Sequence, residues 1–176
     1  EDTWGEEDYI YTYSKIFTCK YPEKIIRILS STYVDWSHIE ELKKNKKIYE
    51  SCFLIRKGVF YFDNFNQHPK NSIEIKSWEY NEVTSIISKC KTFYSYDNET
   101  FYSLIAPLVG TVSVIIPRDK KTQMDFTRTN PKRKFGISYG IENIVHSINT
   151  MHLVEDHLKL FEKKNTNVDY KKYDFS

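Results

Sequence analysis

Seven consecutive residues near the middle of the chain, Asp97-Asn98-Glu99-Thr100-Phe101-Tyr102-Ser103, gather two carboxylates, an amide, two aliphatic hydroxyls and a phenol into one short stretch. The preceding run, Thr92 to Tyr96, reads as a strand, and Phe101 to Val109 reads as a short helix that Gly110 stops. A loop that enters a helix presents unpaired backbone N–H groups and the positive end of the helix dipole, which together can seat a phosphate. In that role Thr100 and Ser103 would donate, and Asp97 or Glu99 would accept from a ribose or sugar hydroxyl. The same residue types also suit a plain cap by Asp97 or Asn98. Spacing does not choose between the two.

A second candidate is Arg56-Lys57-Gly58, which ends the apolar run Ser51 to Ile55. Two cations supply charge and a glycine lets backbone approach a ligand, so the triplet is either a phosphate seat or a solvated turn. The run Arg118 to Lys134 carries seven cations, among them Arg118, Arg133 and Lys134. It reads as a solvated loop or as a cover for a polyanion or nucleotide diphosphate. His146, His152 and His157 fall six and five residues apart, not at the four-residue step that puts two metal ligands on one helix face, so no metal site is expected. The chain has no Asp-x-Asp pair, no phosphate-binding P-loop and no glycine-rich dinucleotide fingerprint. Those absences argue against a metal-dependent sugar-nucleotide site, an NTPase and a dehydrogenase.

The elements that must position these residues can be read in outline. Thr92–Tyr96, the Phe101–Val109 helix and the strand Val112–Ile116 make a βαβ unit, and the second strand's unbroken apolar run fits a parallel strand covered on both faces. The loop after the first strand then lies at the carboxyl edge, where α/β sheets bind ligands. Tyr9–Tyr13, Ile25–Leu29, Ser51–Ile55 and Ser72–Ile75 read as further strands. Ser37 would cap a helix with Ile39 and Leu42 facing inward, and Asn81 to Cys90 is an amphipathic helix with Val83, Ile86, Ile87 and Cys90 on one face. Val59 to Asn71 reads as a loop or short hairpin. Tyr139 to Lys163 reads as one long helix with Ile141, Ile144, Ile148, Met151, Leu158 and Phe161 inward, started by Ser138 or Gly140. Residues 1–8 are expected to fray, and 164–176 to wrap the surface as a tail.

Composition sets the class. Of 176 residues, 40% are hydrophobic, and 14 Tyr with 11 Phe give aromatic bulk for a globular core. Twenty-six basic against 24 acidic residues are too balanced to point to nucleic acid. Cys19, Cys52 and Cys90 are widely spaced and read as small buried hydrophobes in a reducing compartment. No apolar run reaches membrane-spanning length and the acidic start is unlike a signal peptide, so a cytoplasmic location is expected. The fold expected is α/β with a mainly parallel sheet, in one domain over 1–176.

The segments SCFLIRKG, KCKTFYSYDNETFYSLIAPLVGTVSVIIP and FGISYGIENIVHSINTMHLVEDHL, taken in that order, resemble the carboxyl-terminal part of GT-B-fold glycosyltransferase-like proteins of surface-polysaccharide biosynthesis. The resemblance covers Cys52 to about Leu158. It implies a Rossmann-like three-layer sandwich that binds the nucleotide-sugar donor, with no further cofactor and with cations and a helix N-terminus holding the diphosphate in place of a metal. Asp97, Thr100, Tyr102 and Ser103 then fall on the donor motif, Glu99 stands at a variable position within it, and Arg56, Lys57 and Gly58 fall on the basic one. Two departures stand out. The glutamate pair of many retaining members is missing, since Ala106 stands seven residues after Glu99, and Pro107 sits inside the helix, where it should cause a kink. No residue identifies itself as the catalytic base. A GT-B enzyme also needs a second Rossmann-like domain, upstream or in trans, and a glycan acceptor. The alternative is a non-catalytic glycan- or protein-binding module that uses the aromatic and basic surface; nucleic acid ranks last.

Overall fold

The computed structural model describes residues 10–12, 26–28 and 34–166, with side chains over 34–162. The chain divides into a unit spanning Val34–Leu158 and a second composed of Glu1–Tyr33 with Lys159–Ser176. In the second unit, β1 (Ile10–Thr12) and β2 (Ile26–Ile28) pair in parallel. These strands fall inside the expected runs Tyr9–Tyr13 and Ile25–Leu29. The readings for 1–8 and for 167–176, and Cys19, lie outside the described residues.

The Val34–Leu158 unit opens with α1 (Trp36–Leu42), which buries Ile39 and Leu42 as its spacing requires. Its cap is Asp35, whose carboxylate accepts from the His38 N–H at 3.1 Å, and Ser37 donates to the same carboxylate instead of capping. Then come β3 (Tyr49–Leu54), a 3-10 turn over Arg56–Phe60, β4 (Ile73–Glu74), α2 (Tyr80–Ser88), β5 (Cys90–Ser95), α3 (Tyr102–Leu108) and β6 (Val112–Ile115). The chain continues through α4 (Gln123–Thr129), β7 (Ile137–Tyr139), α5 (Ile144–Thr150) and α6 (Val154–Thr166), the last running into the second unit.

Five strands form one all-parallel sheet in the order β4-β3-β5-β6-β7. This is the Rossmann-like α/β architecture. Strand alternation sorts the core onto the two faces of the sheet. Cys52, Leu54, Phe93, Ile115 and Ile137 belong to one cluster with residues of α1, α2, α3, α4 and α6. Tyr94, Tyr96, Val114 and Ile116 form the other, covered by Phe62, Phe65 and Ile144. The segment read as a loop or short hairpin therefore makes an aromatic cover. His68 stacks on Phe53 at 3.7 Å between ring centroids, while its Nδ1 lies 2.8 Å from the buried Tyr96 hydroxyl.

Pro107 is accommodated by a specific partner. Lacking an N–H, it leaves the Ser103 carbonyl without its helical donor. The buried Ser113 hydroxyl of β6 donates to that oxygen at 3.0 Å. Gly110, at φ +72, then ends α3, with the Thr111 N–H donating to Ala106 O at 2.9 Å in a Schellman-type closure.

The single helix expected over Tyr139–Lys163 is not formed. Ile137–Tyr139 is the edge strand β7, with Ser138 inside it, and Gly140 turns the chain at φ +90. Two 3-10 segments, Ile141–Asn143 and Met151–Leu153, then break the remainder into α5 and α6. Each break rephases the helix, so Ile141 and Ile148 end up exposed while Ser147, Val154 and Leu158 turn inward. The run read as a basic loop also holds structure: Thr122 and Asp125 form a capping box that starts α4.

Candidate functional site

Strand order fixes where a ligand would enter. The connection leaving β3 runs to β4 on one side of the sheet, whereas the connection leaving β5 runs to β6 on the other. The carboxyl ends of β3 and β5 therefore flank the topological switch point, the place where doubly wound sheets open a crevice. The two loops there are those singled out in the sequence: Ile55 to Gly58 after β3, and Tyr96 to Thr100 after β5. They touch through backbone, because a Cβ at Gly58 would stand 2.7 Å from Tyr96 Cβ and 3.0 Å from Tyr96 O. Gly58 thus serves loop-to-loop approach.

Arg56 has φ +46, the one positive value at a non-glycine residue among the described residues. That conformation costs on the order of 1–2 kcal/mol and is held by the surroundings. Its guanidinium lies 3.6 Å from the Trp78 ring centroid and donates to the Ser77 carbonyl, both in the loop after β4. Lys57 reaches Glu99 at 4.0 Å, and Arg118, in the loop after β6, reaches the other oxygen of Glu99 at 4.0 Å. Arg118 also rides over the Tyr61 ring at 4.7 Å. Lys57 and Glu99 are both 64% exposed. Such pairs hold weakly, about 0–1 kcal/mol, so an incoming anion can displace the carboxylate.

The remaining residues of the donor stretch are turned inward. Asp97 accepts from the Glu99 N–H at 3.0 Å, an Asx-turn that shapes the loop and leaves the helix uncapped by a side chain. Ser103 is fully buried, donating to Thr100 O at 2.8 Å and accepting from Arg133 at 2.7 Å. Thr100 is buried as well. The expectation that Thr100 and Ser103 donate to a diphosphate is corrected on this geometry: tight packing encloses both, and the Ser103 hydroxyl is already committed. Tyr102 points to α2, stacking on Tyr80 at 6.2 Å between centroids, and burial pushes its phenol pKa up. α3 has only seven residues, so its dipole adds little.

What holds the loop is a residue whose type and spacing gave no sign of the role. Arg133 donates to Asn98 O at 3.1 Å, Glu99 O at 2.7 Å and Thr100 O at 3.0 Å, besides Ser103 Oγ. Burial lowers its pKa to about 10, against the opposing pull of Asp97 and Glu99. A planar fork with five donors is the one side chain able to gather three successive carbonyls and a hydroxyl. Beside it, Tyr139 donates to Asp119 at 2.6 Å, and burial followed by that carboxylate pushes the phenol up. Asn98 Nδ2 approaches the same phenol at 3.4 Å, and Asn98 Oδ1 is buried without a partner.

His146 and His157 each bond a backbone carbonyl, Lys134 O at 2.9 Å and Pro131 O at 2.7 Å, and among the described residues no group of His, Cys, Asp and Glu converges on a metal position. An open cleft of about 680 Å³ lies at the opposite, amino edge of the sheet, lined by Lys43, Lys47, Leu108, Met151, His152 and Glu155 among others. Lys47 there donates to Ser88 O, Val109 O and Thr111 Oγ1, closing the ends of α2 and α3, and burial lowers its pKa to about 8. Lys47 in this cleft is thus committed to helix ends.

No family model, curated protein or solved structure matches the chain. Among the described residues, no helix is long and apolar enough to cross a membrane.

Proposed function

We propose that the Val34–Leu158 unit binds a nucleotide-diphosphate sugar at the switch point, as the donor-binding part of a glycosyltransferase. One observation carries the reading. Lys57 and Arg118, from loops on either side of the loop after β5, both lie 4.0 Å from one displaceable carboxylate, Glu99, beside an arginine fixed in a strained backbone. In this reading the diphosphate takes the place of the Glu99 carboxylate between Lys57 and Arg118, and Arg56 supplies further donors. During transfer the leaving diphosphate gains negative charge, which the cations gathered at this edge would stabilise. Asp97 and Arg133 hold the loop in shape, and Gly58 keeps the two loops in contact. The catalytic base belongs to a second domain or partner in this reading, in line with the GT-B resemblance. The competing reading, a non-catalytic glycan- or protein-binding module, is favoured by the exposed aromatics Phe60 and Trp78.

The test is titration calorimetry of the chain with UDP, GDP, ADP and CMP sugars and with pyrophosphate. The donor reading expects one nucleotide class to bind, and Lys57→Met and Arg118→Met each to weaken it about tenfold, the 1.4 kcal/mol of one lost charged contact. No binding across the panel, or binding indifferent to both substitutions, contradicts it.

A further inference from the structure

Three large aromatic side chains rim the crevice with their rings in water: Trp78 and Phe60 are each 78% exposed and Tyr61 is 53% exposed. They are not scattered. Trp78 carries the Arg56 guanidinium on one face, Tyr61 carries that of Arg118, and Phe60 meets Tyr61 edge-on at 6.5 Å. Arg56 and Phe60 begin and end the same 3-10 turn, so roughly 8 Å of helix rise lies between their backbones.

An arginine stacked on a ring covers one face and leaves the other open, while its N–H groups remain directed outward around the ring's edge. The result is an apolar face bordered by hydrogen-bond donors. Pyranose rings have the complementary form, with C–H groups on the face and hydroxyls at the edge. A protein–protein interface also favours Trp, Tyr and Arg, but its core is depleted of acidic groups, and here Glu99 stands 4.0 Å from Arg118. A nucleic-acid strand would call for excess positive charge along its track, yet Glu99 and Asp119 stand among these cations.

We propose that Trp78, Tyr61 and Phe60 form a glycan platform beside the crevice, on which sugar rings of the acceptor stack while Arg56 and Arg118 hydrogen-bond their hydroxyls. This deepens the donor reading and rests on it for the word acceptor, but the platform itself stands on the aromatic geometry alone. Arg56 and Arg118 then serve two ligands, which couples acceptor to donor through the same side chains.

The experiment titrates the full chain with chitohexaose, cellohexaose, maltohexaose and hyaluronan hexasaccharide, following the amide spectrum and the Trp78 indole N–H, assigned by its loss in Trp78→Phe. At least one hexasaccharide is expected to shift the Trp78 indole and the Tyr61 amide. Trp78→Ala and Tyr61→Ala should each weaken binding about tenfold, Trp78→Phe should keep most of it, and Lys57→Met should leave it within about twofold. The three aromatics are exposed, so loss of fold does not confuse the result. No shift with any of the four sugars overturns the platform, as does binding unaffected by Trp78→Ala. So does a response to oligo-dT alone that falls steeply with salt. UDP binding, measured on the same samples without sugar, separates the two proposals: loss of UDP binding with glycan binding intact contradicts the donor reading only, and the reverse contradicts the platform only.

Discussion

Replacing Arg133 by Met keeps much of the stem's bulk and removes the guanidinium that gathers Asn98 O, Glu99 O, Thr100 O and Ser103 Oγ. Each charged hydrogen bond contributes about 1.5–3 kcal/mol when its partners are buried. Two considerations reduce that sum. The Glu99 carbonyl is at the surface, where water replaces the lost donor, and releasing the charge recovers the desolvation that brings Arg133 down to about 10. The net expectation is about 2–4 kcal/mol, or a fall of about 4–16 °C in melting temperature for a chain of this size. Urea unfolding of wild type and variant gives the energy, and hydrogen exchange at the Glu99 and Thr100 amides locates it. Arg133→Lys should recover less than half, since an ammonium cannot span four acceptors. A loss under about 0.5 kcal/mol with unchanged exchange in the loop would refute the clamp.

Two further expectations follow from side chains outside the crevice. Ser113→Ala should cost about 1–2 kcal/mol because the Ser103 carbonyl loses its donor; in a Pro107→Ala background, where residue 107 regains an N–H for that carbonyl, the cost should shrink, and equal costs in both backgrounds would contradict the pairing. Lys47 has a folded pKa near 8 against a usual 10.5, so the unfolded chain holds more protons between those values and stability attributable to this residue rises as pH climbs from about 8 to 10.5. Urea titrations of wild type against Lys47→Met across that window should show wild type gaining on the variant, and a constant or falling difference would count against it.

The sequence was most legible where pattern and local physics agree. The βαβ unit around Thr92–Ile116 and the burial of Ile39 and Leu42 in α1 rest on apolar spacing that the structure keeps. β7 is hidden because three residues give too short a pattern to outweigh the helical spacing that follows, and Gly140 suits a helix start by type as well as the turn it makes. α4 did carry a signal, Thr122-x-x-Asp125, inside a run dominated by charge. At the site, the two loops were legible as neighbours of strand ends, but their meeting at the switch point depends on strand order, which one sequence does not state. Ser103 and Thr100 read as donors on residue type, yet burial decides access. Arg133 was visible only as one cation among seven, because its partners lie some thirty residues away in the chain.

The central claim is that the ligand sits at the carboxyl edge, between the loops after β3 and β5. The most direct measurement is amide chemical-shift mapping of the chain with UDP and, separately, with pyrophosphate. The account predicts shifts confined to Arg56–Gly58, Tyr96–Thr100 and Arg118, with Lys57→Met raising the ligand concentration they require about tenfold. Shifts centred instead on Lys43, Lys47 and Leu108–Gly110, the cleft at the amino edge, would contradict it.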